Sequence, residues 1–212
     1  MGFGPTGADI QRMTSTPADA VVPASPLRAL ADPPGGVLLW LIVALELLAF
    51  TMIFGIIAWL RVEAPELFRE AQAHLDTTSG LALTVALLTS GWLVAEGVHA
   101  FRGGDAAAAR RWWLAGVAAG TVFVGLKVRD YAVKSAAGHG LGANDFWDAY
   151  VLGTGFHFVH VLAGLVLLTV VAWRLPRARF EDPETAVAGV ALFWHMCDLA
   201  WLFLFPLFWA RA

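Results

Sequence analysis

From residue 37 onward the chain alternates between long apolar runs and short polar links, and the runs are continuous rather than period-two. A hydrocarbon core of about 30 Å needs roughly 20 apolar residues in a helix. Runs of that length recur five times, at about 37–60, 78–100, 112–134, 145–173 and 186–210. Continuous runs exclude a membrane β-barrel, whose strands alternate. The pattern predicts an all-α polytopic membrane protein, a five-transmembrane-helix bundle. Pro206 is expected to kink the last helix. Residues 1–36 hold six of the ten prolines among small residues, which predicts a disordered tail that is neither a secretory signal nor a transit peptide.

Composition strengthens this picture: 58% of residues are hydrophobic, 15% are charged and the mean hydropathy is +0.67. A formal net charge of -3 with scattered Lys and Arg excludes a nucleic-acid surface. Cys197 is the single cysteine, so an intrachain disulfide and a c-type haem attachment motif are excluded. Eight Lys or Arg on one side of a five-span topology, against six on the other, put the N-terminus in the cytoplasm and the C-terminus in the periplasm. Trp59, Trp112, Trp113, Trp147, Trp173 and Trp209 flank span ends and are expected to anchor them at the water interface.

Ionisable residues inside the spans carry the candidate chemistry, because a charge at mid-bilayer costs on the order of 2.5 to 3.5 kcal/mol on insertion scales. Glu46 has no partner on its own helix; packing as a hydrogen-bonded acid competes with a proton-coupled or headgroup-binding role. Tyr150, Gly153, His157, His160 and Gly164 share one face of the fourth span, suited to hydrogen bonding with a close neighbour or to a metal or haem. His195 and Asp198 form a self-satisfying pair three residues apart. Similar depths predict one buried polar cluster of Glu46, His157, His160, His195 and Asp198 joining the first, fourth and fifth spans. Lys127, Asp130 and Tyr131 form a secondary polar group, read as a solvated helix end, an ion pair or a snorkelling lysine. Cys197 is expected to be a small buried side chain.

Several of these segments resemble the cytochrome c oxidase subunit III family. Trp194-His195-Met196-Cys197-Asp198-Leu199-Ala200-Trp201-Leu202 is similar to its last-helix signature, and Thr154-Gly155-Phe156-His157-Phe158-Val159-His160-Val161 with Gly164 to its Thr-Gly-x-His-x-x-His-Val segment. Glu46 matches the family's lone intramembrane glutamate, and Leu87-Leu88-Thr89-Ser90 resembles the start of the next helix. Lys127-Val128-Arg129-Asp130-Tyr131 resembles a Lys-x-x-Glu-Tyr segment, with Asp130 a departure that leaves that position's role open. Five spans resemble the short bacterial form, and the Phe-Pro-Leu ending, the tight third link and Lys127 resemble the nitric oxide reductase-associated NorE-like branch.

The resemblance implies a non-catalytic accessory subunit in the bacterial inner membrane. It would carry no cofactor of its own, associate with structural phospholipid, and pack against the catalytic haem-bearing subunit of an oxidase or nitric oxide reductase to support stability and sustained turnover. A haem b electron-transfer anchor and a proton-coupled transporter centred on Glu46 are the alternatives. Six histidines, with His74 and His139 in links, are too few and too dispersed for a haem with a copper centre.

Overall fold

The computed structural model describes residues 36–175 and 182–210. The expected tail at 1–36 therefore lies, but for residue 36, outside the described residues. The described residues form six helices in order: α1 (Val37–Glu63), α2 (Pro65–Ala73), α3 (Thr77–Arg102), α4 (Ala106–Ala136), α5 (Asp145–Arg174) and α6 (Pro183–Trp209). Their starts are written locally. Asp76, Asp105, Asn144 and Asp182 each accept a backbone N–H of the first turn at 2.8–3.1 Å, and Pro occupies the first turn of α2 and α6. The α4 helix ends in a Schellman motif: Gly138 takes φ +79° and donates to Ser135, while His139 donates to the Lys134 carbonyl at 2.9 Å.

Among the described residues four helices, α1, α3, α5 and α6, are long and apolar enough to cross a membrane, one fewer than the five expected. The exception is α4. It has the length, at 31 residues, but Arg110, Arg111, Lys127, Arg129, Asp130 and Lys134 lower its hydropathy. The polar first link also contains a helix that the apolar pattern missed, α2, which turns Phe68, Ala71 and Gln72 inward.

The core is built from seven-residue seams. On α3 the buried positions are Gly80, Leu83, Leu87, Ser90, Gly91, Val94 and Gly97, and on α4 Ala109, Trp113, Gly116, Gly120, Phe123, Lys127 and Asp130. These two helices share the most extensive interface in the bundle. Ser90 donates to the Gly116 carbonyl at 2.7 Å, and a Cβ on Gly97 would collide with the Trp113 indole. Such close approach through small residues is how helices associate where apolar lipid removes the hydrophobic drive. α5 and α6 close the bundle, and α1 docks on both through Val43, Phe50 and Ile57, its only buried residues.

The tryptophan belt is corrected in part. Trp59, Trp112 and Trp173 are exposed as expected, but Trp113, Trp147 and Trp209 are buried. Each of those three fills space inside the bundle, Trp113 against Gly97 and Trp209 against Gly80. α6 continues through Pro206 to Trp209. Its last carbonyls, orphaned by the helix end, are met by neighbours: Arg61 donates to Ala210 at 2.8 Å and buried Gln72 to Phe208 at 3.0 Å.

Candidate functional site

The five residues expected in one cluster form three separate contacts. Glu46 of α1 meets His160 of α5, Oε2 to Nε2 at 2.9 Å. The second nitrogen of His160, Nδ1, donates to the Phe156 carbonyl at 2.8 Å. With Nδ1 committed as a donor, the Nε2 to Oε2 contact holds a single proton, either as imidazolium with carboxylate or as imidazole with carboxylic acid. The pair is electrically neutral in both forms. Phe50 and Phe156 flank the imidazole with ring centroids at 5.4 and 4.5 Å.

His157, one turn away on the same face, is fully buried and donates Nε2–H to the Cys197 carbonyl of α6 at 3.0 Å. Its Nδ1 has no partner among the described residues. The two histidines of the fourth span thus serve different helices. His195 and Asp198 pair within α6, Nδ1 to Oδ2 at 3.0 Å. Asp198 is pressed against α3, where Gly91 leaves room for the carboxylate that a side chain would take. Sequence reasoning missed α3 as the third wall of this contact, although Gly91 is its legible sign. Cys197 is buried, as expected.

The Lys127 group departs most from a solvated helix end. Lys127 is 1% exposed, with Nζ 3.0 Å from Asp130 Oδ2 and 2.7 Å from Tyr150 Oη. Its ammonium lies 4.4 Å from the ring centroids of both Tyr131 and Tyr150, an arrangement that favours a cation. Asp130 also accepts from Lys134 and from Tyr150. Tyr131 shares a 2.8 Å hydrogen bond with Thr154 of α5. The lysine turns inward instead of snorkelling because Lys127 and Asp130 continue the α4 seam of Trp113, Gly116, Gly120 and Phe123. Tyr150 was on the expected face of α5, but its role here depends on a contact 23 residues away in sequence.

Two apolar grooves flank α1. One, of about 740 Å³, lies against α6 between Phe50, Phe54, Gly55 and Phe203 and ends at Arg61. The other, of about 480 Å³, lies against α5 between Ile53, Ile57, Leu152 and Phe156 and ends at Asp145 and Asp148. No group of three or more His, Cys, Asp or Glu able to hold a metal occurs among the described residues.

The fold and these contacts define a helical polytopic membrane protein whose intramembrane ionisable groups are spent on joining helices. The family model for cytochrome c oxidase subunit III matches residues 74–211, the stretch that carries both histidine motifs. Similar proteins include cytochrome c oxidase subunit 3 of Corynebacterium diphtheriae, 30% identical over 65% of this chain and 68% of that one. The Thermostichus vulcanus subunit 3 is 33% identical over 58% of this chain and 61% of its own. A probable subunit 3 of Mycobacterium tuberculosis is 27% identical over 80% and 83%. The chain belongs to the cytochrome c oxidase subunit III family. It is a non-catalytic accessory subunit of a haem-copper oxidase, and neither the haem b anchor nor the transporter gains support.

Proposed function

We propose that this subunit packs against the haem-bearing subunit of a terminal cytochrome oxidase in the bacterial inner membrane, where it stabilises the complex and prolongs turnover. The carrying observation is the continuous family match over residues 74–211. The bundle adds a physical reason. Only 11% of the most apolar window of α1 is buried within this chain, which leaves most of that helix for lipid or a neighbouring subunit. The two grooves beside α1 suit phospholipid acyl chains, and the Glu46–His160 contact fastens α1 to α5. In this reading the chain holds no haem, copper or other cofactor.

α4 completes five crossings. At 1.5 Å per residue its 31 residues extend about 46 Å. Its innermost charges, Lys127 and Asp130, face protein instead of lipid, which removes the penalty that its composition implies. The N-terminal end of α1 then faces the cytoplasm and the C-terminus the periplasm. A nitric oxide reductase is the second reading, favoured by Lys127 and by the Phe-Pro-Leu ending of α6.

The test is mild-detergent purification through a tag on this chain, followed by mass spectrometry and an optical spectrum. Recovery of a haem-bearing oxidase subunit is expected. Recovery of a nitric oxide reductase moves the assignment to the second reading, and recovery of the chain without any haem-bearing partner refutes both.

A further inference from the structure

We infer that the outer end of α4 and α5 carries an anion site of the phosphate class, centred on Lys134. One buried and one partly buried lysine share one carboxylate: Lys127 and Lys134 both contact Asp130, with side-chain exposures of 1%, 11% and 3%. Among the described residues Asp130 is the only carboxylate in ion-pair contact with either lysine. Two positive charges against one negative leave the cluster at +1. Burial opposes the Lys127 charge, and the direct contact with Asp130 at 3.0 Å and the rings of Tyr131 and Tyr150 at 4.4 Å favour it. An uncompensated charge in low-dielectric surroundings is costly, and a counter-anion relieves it.

The cluster opens onto a place for that anion. A cavity of about 300 Å³ is lined by Tyr131, Lys134, His139 and Tyr150 together with Gly140 and Gly155. That is roughly the liquid volume of ten waters, enough for a phosphate group. The surrounding donors suit phosphate oxygens. Lys134 is a flexible ammonium one turn from the helix end, and His139 is aimed by the Schellman turn and stacked on Trp147 with centroids 4.4 Å apart. The cavity lies where α4 ends and α5 begins, the depth at which a helix end meets lipid headgroups. A phospholipid headgroup and free phosphate share this chemistry.

The experiment uses the full chain, delipidated in detergent, with two probes: phosphatidylglycerol followed by native mass spectrometry, and inorganic phosphate followed by calorimetry. Binding of one or both is expected, with Lys134→Met weakening it about tenfold and the exposed Arg129→Met leaving it unchanged. Retention of phosphatidylglycerol that excess phosphate does not displace identifies a headgroup site, whereas phosphate binding without lipid identifies a free-anion site. His139→Leu, which leaves the buried ion pairs intact, is the second variant and is expected to weaken the same probe severalfold. Binding of neither probe by the wild-type chain, or equal binding by wild type, Lys134→Met and His139→Leu, overturns the proposal.

Discussion

Glu46 with His160 and Lys127 with Asp130 are both ion-pair contacts inside a membrane bundle, yet they differ in what surrounds them. The Glu46 side chain is 29% exposed and carries one partner across helices. Asp130 is 3% exposed and gathers two lysines and a tyrosine from α4 and α5. The first joins a peripheral helix, while the second lies on the buried seam of α4 and reaches α5. Buried charges are strongly destabilising when one partner is removed, whereas interhelical polar contacts in membranes are individually modest. The two sites should therefore respond to mutation very differently.

The largest effect is expected from Asp130→Ala, which strands the buried Lys127 ammonium and the partly buried Lys134 beside it. A loss on the order of 3 to 5 kcal/mol follows from the behaviour of broken buried pairs, seen as failure to accumulate or early unfolding in detergent. Lys127→Met combined with Asp130→Ala restores neutrality only in part, since Lys134 remains. A double-mutant cycle reads the coupling directly. Next comes Gly97→Ala, whose new Cβ would strike the Trp113 indole; overpacking predicts roughly 1 to 3 kcal/mol in a thermal or denaturant titration. Glu46→Gln keeps a hydrogen-bonding group opposite His160 and should cost only about 0.6 kcal/mol, with assembly retained. A result as large as that of Asp130→Ala would erase the contrast between the two regions.

The smallest effect concerns the exposed start of α6. Hydrogen bonds from the Thr185 hydroxyl and then from its backbone N–H hold the Asp182 carboxyl below its ordinary value. Its folded value is depressed, so the cap is in place above the unfolded carboxylate range and is lost as pH falls through the lower, folded value. Protection of the Thr185 N–H, measured as exchange relative to its intrinsic rate at each pH, should fall in acid, with the rest of the bundle unaffected.

Much of this was legible in the sequence. The run at 145–173 matches α5 to within a residue because Asn144 marks its start, and the pairing of His195 with Asp198 follows from their spacing. The α2 helix was hidden in a polar link, although Pro65 and the spacing of Phe68 with Gln72 mark a short amphipathic turn. Lys127 looked like a helix end because hydropathy counts its charge. Continuing the seven-residue seam through Phe123 would have placed it inside. The separation of the cluster into three contacts was not legible, since depth along a helix does not say which way a face turns. Nor was the Asp130–Tyr150 bond, which depends on how α5 sits against α4.

The central claim is that this chain supports a haem-bearing subunit without taking part in its chemistry. The most direct measurement compares the partner oxidase purified with and without this subunit, following oxygen consumption from the first turnovers to inactivation. The account predicts equal initial rates and a shorter active lifetime without the subunit. An initial rate abolished by its removal, with the haem-bearing subunit still intact, would contradict it.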